Sequence, residues 1–221
     1  MPLTAVITGA NRGIGLALAR HYAQAGWQLV GVCRETSADL NEVANRVITG
    51  VDITAEEDVK RLAGELEGTA IDLLINNAGL LADERLGELD FASLARQMEI
   101  NAYGPLRVTE ALLPLLHQGS KIGLVTSRMG SIADNDSGGR YGYRASKAAL
   151  NAFGKSLAVD LQPRGISVAL LHPGYVKTRM VNFGGLISPE EAAAGLAARL
   201  EELTLETSGS FWHSNGELLP W

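Results

Sequence analysis

The chain has 221 residues, with 19 Lys and Arg against 25 Asp and Glu and a formal net charge of -6. That length fits one α/β domain around one sheet, here residues 1–221, and the acidic balance without any Lys or Arg run excludes a nucleic-acid surface. The partners expected are small molecules and other protein chains, and the single cysteine, Cys33, forms no internal disulfide and suits a reducing compartment.

Residues 3 to 9, Leu3-Thr4-Ala5-Val6-Ile7-Thr8-Gly9, read as a short apolar strand. The strand runs into Thr8-Gly9-Ala10-Asn11-Arg12-Gly13-Ile14-Gly15, and an amphipathic helix follows with Leu16, Leu18, Ala19, Tyr22 and Ala23 at helical spacing. Strand, glycine turn and helix in this order form a phosphate cradle. Glycines remove Cβ atoms, so backbone N–H groups and the positive end of the helix can approach a pyrophosphate.

Further apolar strands are expected at Gln28 to Cys33, Arg46 to Val51, Ile71 to Ile75, Lys121 to Thr126 and Ile166 to Leu171, separated by helical patterns. This rhythm predicts a doubly wound parallel sheet of Rossmann type with helices on both faces and a ligand crevice at the carboxyl ends of the strands. The second strand ends in Cys33-Arg34, where an acidic residue would accept from a ribose 2′-hydroxyl and a guanidinium would pair with a 2′-phosphate. With Arg12 reaching the same place from the glycine turn, NADP is the expected cofactor; Glu35 and Asp39 are the carboxylates that could instead pair with Arg34.

Tyr143 and Lys147 are four residues apart, about one helical turn, so both side chains lie on one face. A cation beside a phenol favours the phenolate and makes the pair a proton-transfer device near neutral pH. Tyr141 has Ala145 at the same spacing and is expected to be a wall residue.

Taken together, these motifs resemble the short-chain dehydrogenase/reductase family over nearly the whole chain. Thr8 to Gly15 resembles its cofactor motif, Asn76-Asn77-Ala78-Gly79 its fourth-strand motif, Pro173-Gly174 with Thr178 its nicotinamide-side motif, and Asn101, Ser127, Tyr143 and Lys147 its catalytic tetrad. Gly130-Ser131-Ile132 and the run Gly138 to Asn151 resemble the C-factor-like and sniffer-like carbonyl reductases, and the ending Phe211 to Trp221 resembles the C-factor-like proteins. The resemblance implies Tyr143 as proton donor, with Lys147 lowering its pKa and holding the nicotinamide ribose. It implies Ser127 on the substrate oxygen and Asn101 fixing a relay water. For the cofactor it implies Gly9, Asn11, Arg12, Gly13 and Ile14 at the phosphates, Asp52 and Ile53 at the adenine, and Asn77, Ala78 and Gly79 along the ribose. Pro173, Gly174, Val176 and Thr178 fall at the nicotinamide side, whereas Asn76 is expected to tie neighbouring strands.

Ser127 lies 16 residues before Tyr143, longer than is usual in the family, so Asp134 to Gly139 should bulge outward. The short segment Tyr175 to Ile187 occupies the lid position, ahead of a helix expected after Ser188-Pro189-Glu190-Glu191. Met180, Val181 and Phe183, with Met129, Ile132 and Leu80, predict an apolar pocket for a small aldehyde, ketone or quinone, and Arg179 is the exception that could meet an anion. Gly154-Lys155-Ser156 mimics the end of a phosphate loop, but Ala149 stands where the first glycine should be. His21, His117, His172 and His213 lack metal-ligand spacing, so no metal site is expected.

The function expected is therefore an NADP-dependent carbonyl reductase, running in reverse as an alcohol dehydrogenase. The alternative is a C-factor-like dinucleotide-binding signalling protein, although binding alone would not require the intact tetrad. The opening residues show no basic-then-apolar signal, so a cytoplasmic location is expected. The helices around Asn101 and Tyr143 carry apolar residues on two faces that could both serve the core, and the family resemblance, in which these helices commonly pair between subunits, implies a homodimer or homotetramer.

Overall fold

Seven strands form one parallel sheet in the order β3-β2-β1-β4-β5-β6-β7 in the computed structural model, which describes residues 2–221. The strands are β1 (Thr4–Thr8), β2 (Gln28–Val32), β3 (Arg46–Ile48), β4 (Ile71–Asn76), β5 (Leu116–Val125), β6 (Ser167–His172) and β7 (Phe211–His213). Strands with apolar side chains on both faces suit a sheet covered on both sides, because parallel crossovers put helices there.

Seven α-helices supply the cover: α1 (Gly13–Gln24), α2 (Ala38–Val43), α3 (Glu56–Glu65), α4 (Phe91–Met98), α5 (Gly104–Leu112), α6 (Tyr141–Leu161) and α7 (Pro189–Glu202). On one face Leu16, Leu18 and Tyr22 of α1 meet Leu196 and Leu200 of α7 over Ile7, Leu73 and Ile75. On the other, Leu62, Val108, Leu112 and Leu150 cover Val6, Leu74, Ile122 and Leu124. Each such Leu or Ile taken fully from water contributes roughly 1.5–3 kcal/mol before chain entropy is subtracted.

Strand order reverses between β1 and β4, so the crevice opens at their carboxyl ends, where the glycine turn and Asn77 both lie. Helix α7 begins one turn earlier than expected. Ser188 caps it, its hydroxyl accepting from Glu191 N–H at 3.1 Å while the Glu191 carboxylate accepts from Ser188 N–H at 2.7 Å. Two further departures concern the sheet. β5 starts at Leu116 and not Lys121, across a register shift opposite Ile71 and Leu73, and β7 had no expected strand at all. Between α4 and α5 the helix loosens into a π-turn over Glu99–Tyr103, a local widening that recurs at functional sites. No helix among the described residues is long and apolar enough to cross a membrane.

Candidate active site

Gly9 and Gly13 have φ of 65° and 55°, a left-handed conformation that side chains disfavour, and a Cβ at Gly15 would lie 2.2 Å from the Gly9 carbonyl oxygen. Side chains are thus excluded from the cradle at the start of α1. Asn77 fixes its other wall: its Nδ2 donates to the carbonyls of Thr8 and Gly9 at 3.0 and 3.2 Å, and its N–H donates to Thr8 Oγ1 at 3.0 Å. Asn11 donates to Glu35 O at 2.7 Å and so ties the turn to the loop carrying Arg34. Thr178 comes next to this turn, since a Cβ on Gly13 would lie 3.4 Å from its methyl group.

At the adenosine end Arg12 and Arg34 are exposed, and among the described residues neither has a carboxylate within 4.0 Å. Asp39, a candidate partner for Arg34, pairs instead with Arg20 at 3.3 Å. Arg34, Asp52, Thr54, Ile100 and Arg107 line an open cleft of about 490 Å³. The backbone N–H of Thr54, 2.9 Å from Asp52 Oδ1, is the largest influence holding that carboxyl below the usual range, followed by the Thr54 hydroxyl and the more distant Arg34. Ile53 is not presented to this cleft as expected. It is buried in the core, where a Cβ on Gly104 would lie 2.7 Å from its Cδ1.

Ala78 and Gly79 lead toward the reacting end. A Cβ on Gly79 would sit 3.3 Å from Asn101 Oδ1 and 3.8 Å from Lys147 Nζ. Tyr143, Lys147, Ser127 and Asn101 are all buried, and the Lys147 ammonium stands 5.9 Å from the Tyr143 ring centroid. Lys147 Nζ donates to Val125 O at 2.8 Å, and burial lowers its pKa to about 8. The phenol departs from the expectation of a lowered pKa: burial pushes Tyr143 up, and the Ser127 hydroxyl and Arg140 offset that only in part. Ser127 accepts from Met129 N–H at 3.2 Å, which orients its hydroxyl at the carboxyl end of β5.

Asn101 is tied to the loop after β4. Its Oδ1 accepts from Leu80 N–H at 2.7 Å, while its Nδ2 donates to Leu80 O at 2.7 Å and to Ser146 Oγ at 3.0 Å. The π-turn aims the amide at the loop after β4, so both side-chain atoms have partners within the fold. Asn76, expected to link strands, donates instead to Thr109 Oγ1 of α5 at 3.0 Å.

Pro173 and Gly174 follow β6, with Gly174 at φ 90° and Val176 buried beside Ile187. The lid is an open apolar rim and not an enclosed pocket: Ile132, Met180 and Phe183 stand exposed, while Leu80 lines a separate groove with Ala92 and Arg96. The segment from Asp134 to Gly139 does bulge outward, with positive φ at Gly138, Gly139 and Arg140. Trp221 reaches the residues just before this segment, its main-chain oxygen accepting from Ala133 N–H at 2.8 Å and Ser131 Oγ at 3.1 Å.

A side-chain-free cradle at the switch point and a buried phenol and ammonium at the far end of the same crevice are what an oxidoreductase using a dinucleotide requires. The sequence profile described as short chain dehydrogenase matches residues 3–184, and the chain belongs to that family. Among curated proteins it is 44% identical to 1-hydroxy-2-glutathionyl-2-methyl-3-butene dehydrogenase of Rhodococcus sp. (strain AD45), over 99% of both chains. It is 46% identical over 154 residues to C-signal of Myxococcus xanthus, covering 68% of this chain and 93% of that one. Among solved structures it resembles a Burkholderia multivorans short-chain dehydrogenase/reductase with bound NADP (TM-score 0.90, 33% identity, all of both chains). It also resembles the carbonyl reductase Sniffer of D. melanogaster (TM-score 0.92, 29% identity, all of both chains). The expected C-factor-like and sniffer-like branch is borne out.

Proposed function

We propose that the protein reduces the carbonyl of small, mainly apolar aldehydes, ketones or quinones with NADPH, and oxidises the alcohols in reverse. The observation that carries this reading is the buried juxtaposition of Tyr143, Lys147 and Ser127 at the carboxyl edge of the sheet. When bound, the dinucleotide supplies the hydride. NADP fits the residues present, because the glycine turn leaves room for a pyrophosphate and Arg12 and Arg34 are free to meet a 2′-phosphate.

The chain's own residues then manage the oxygen. Burial keeps the Tyr143 phenol protonated at neutral pH, so it is a proton donor to an oxygen on which negative charge develops. Lys147, with a pKa of about 8, is still mainly charged there and stabilises the phenolate left behind. Ser127 donates to the same oxygen and holds it against the phenol. NADPH oxidation measured against a panel of carbonyl compounds tests the reading, with Tyr143→Phe as the control. Turnover of none of the panel, or turnover that survives this substitution, overturns it.

A second substrate class belongs in the panel. The Rhodococcus relative is named for a glutathionyl-bearing alcohol, and Arg179 on the lid is exposed, with no carboxylate within 4.0 Å among the described residues. Its guanidinium suits a peptide carboxylate, so Arg179→Ala should raise KM for such conjugates and leave simple aldehydes unaffected. Self-association is part of the same proposal. Tyr103 and Phe153 stack at 6.0 Å, and Phe91 and Val159 stand exposed on α4 and α6. Light scattering should find a dimer or tetramer.

A further inference from the structure

Glu84 lies in the loop after β4 and is 4% exposed, a buried carboxylate that the reaction described above does not use. Burying a carboxylate is costly unless its oxygens are fully hydrogen-bonded. These are. Oε1 accepts from Ser93 Oγ at 3.0 Å and from Gln97 Nε2 in a short contact, and Oε2 accepts from the backbone N–H of Gly142 at 3.2 Å. Gly142 is in the first turn of α6, one residue before Tyr143. The residue that should cap this helix, Arg140, is left-handed with φ 49° and contributes no side-chain cap. The first N–H groups of a helix need partners from elsewhere, and the positive end of the helix favours a negative one.

The partners of Glu84 belong to a longer seam. Ser93, Gln97 and Asn101 follow one another at four-residue steps on one face of α4 and the π-turn, and each side chain grips the loop after β4. Asn101 holds Leu80, Gln97 Oε1 accepts from Ala82 N–H at 3.0 Å, and Ser93 holds Glu84. Glu84 then carries the seam across to α6. A Cβ on Gly142 would lie 2.5 Å from Gln97 Nε2, so the two helices meet here too closely for any side chain.

We infer that Glu84 is a positioning residue for the reaction: its carboxylate is the N-terminal cap of α6, supplied across the fold, and it fixes where that helix places Tyr143. The inference rests on the reading of Tyr143 as the proton donor. A carboxylate is needed because all the groups facing it are donors. Glutamine would leave its own N–H₂ against either the Gly142 N–H or the Gln97 amide, since Ala82 N–H prevents Gln97 from turning over.

This mismatch defines the test. Glu84→Gln should lower kcat by on the order of tenfold to a hundredfold, the range expected when a reacting group shifts by about 1 Å. NADPH affinity should stay within about twofold of the parent, as it does when ground-state binding is untouched. Amide exchange should quicken at residues 142–144 and not across the sheet. The double variant Glu84→Gln, Gln97→Glu should recover kcat. In it the amide introduced in the loop accepts from Gly142 and donates to the carboxylate introduced on α4, which still accepts from Ala82. Should the single variant fail to fold, the double variant alone decides. An unchanged kcat with Glu84→Gln overturns the inference, as does a double variant that regains exchange protection at Gly142 without regaining kcat. A single variant that stays folded but exchanges faster across the sheet as well as at residues 142–144, with NADPH affinity lowered along with kcat, overturns it too. If no carbonyl compound is turned over by the parent protein, the function reading fails, yet exchange at Gly142 still reports on the cap.

Discussion

The two ends of the crevice are built on opposite plans. At the reacting end Tyr143, Lys147, Ser127 and Asn101 are buried, and Asn101 has every side-chain polar atom already bonded within the fold. At the end proposed to hold adenosine, Arg12 and Arg34 are solvated, with no carboxylate within 4.0 Å among the described residues, and Arg34 lines an open cleft. A group that must transfer a proton gains from being held in place beforehand, because the cost of orienting it is met in folding. A group that recognises a phosphate needs mainly charge, and long flexible guanidinium side chains can adjust to it. Substitutions at the first end should therefore act on kcat, and those at the second on cofactor affinity and its salt dependence.

The largest expected effect is at Tyr143. Replacing it with Phe should cost on the order of 10²-fold or more in reductase activity while NADPH affinity stays nearly unchanged. A variant that retained half its activity would erase the distinction between the two ends. The pH profile sharpens it next. Lys147 has its pKa lowered to about 8 by burial, so its charge is lost above that value, whereas burial pushes the Tyr143 phenol upward. Activity in the reducing direction should fall above about pH 8, approaching tenfold per pH unit, as expected for loss of one required proton. A limb found only above about pH 10, the ordinary range of a phenol, would assign the control to Tyr143 instead.

At the other end the effects are smaller and lie in binding. Removing Arg12 or Arg34 should weaken NADPH by about tenfold, the equivalent of one charge-assisted contact, and barely change NADH. Arg34→Asp should invert the preference, since it places an acceptor near a ribose hydroxyl and a repulsive charge near a phosphate. Titrations at rising salt should weaken NADPH more than NADH in the parent protein and lose that difference in Arg34→Asp. Equal affinities for both dinucleotides in the parent would show the arginines to be ordinary surface groups.

How much of this was legible follows from where each signal is stored. The glycine turn and the four-residue step from Tyr143 to Lys147 are local patterns, so they could be read without a fold. The alternation of strands and helices was equally plain, because β1, β4 and β6 are apolar runs. β7 escaped because Phe211–His213 is three residues long and amounts to no periodicity. The first half of β5 escaped because His117, Gln118 and Gly119 are exposed and show no apolar run, and the register skips from Leu116 to Lys121, with the Ser120 hydroxyl donating to Ile71 O at 2.7 Å. Ile53 reads equally well as an adenine shelf or a core side chain, and its burial against Gly104 is a tertiary fact. Glu84 sits in Asp83-Glu84-Arg85, which looks like a solvated charged loop. Its burial comes from α4 and α6 converging on it, a tertiary fact with no local trace.

The smallest effect is one on stability alone, and it tests whether the buried end carries a cost the exposed end does not. His172 ends β6, edge-on to His213 with ring centroids 4.8 Å apart, and its Nδ1 is buried without a partner. His213 Nδ1 accepts from Asn215 N–H at 3.0 Å, which holds that ring in the neutral tautomer. Burial first, and then the neighbouring His213 and Arg128, lower the His172 pKa from 6.5 to about 3, although Asp134 opposes the shift. Between those values the unfolded chain binds a proton that the folded chain refuses, so stability falls as pH falls, by up to about 1.4 kcal/mol per unit. From about pH 7 to about pH 5 the loss from this group is roughly 2 kcal/mol, before most carboxylates begin to titrate. Urea unfolding at the two pH values measures it. His172→Gln, which carries no titrating group, should flatten the dependence while being less stable than the parent at neutral pH; an equal slope in both proteins would mean that the imidazole takes up its proton inside the fold.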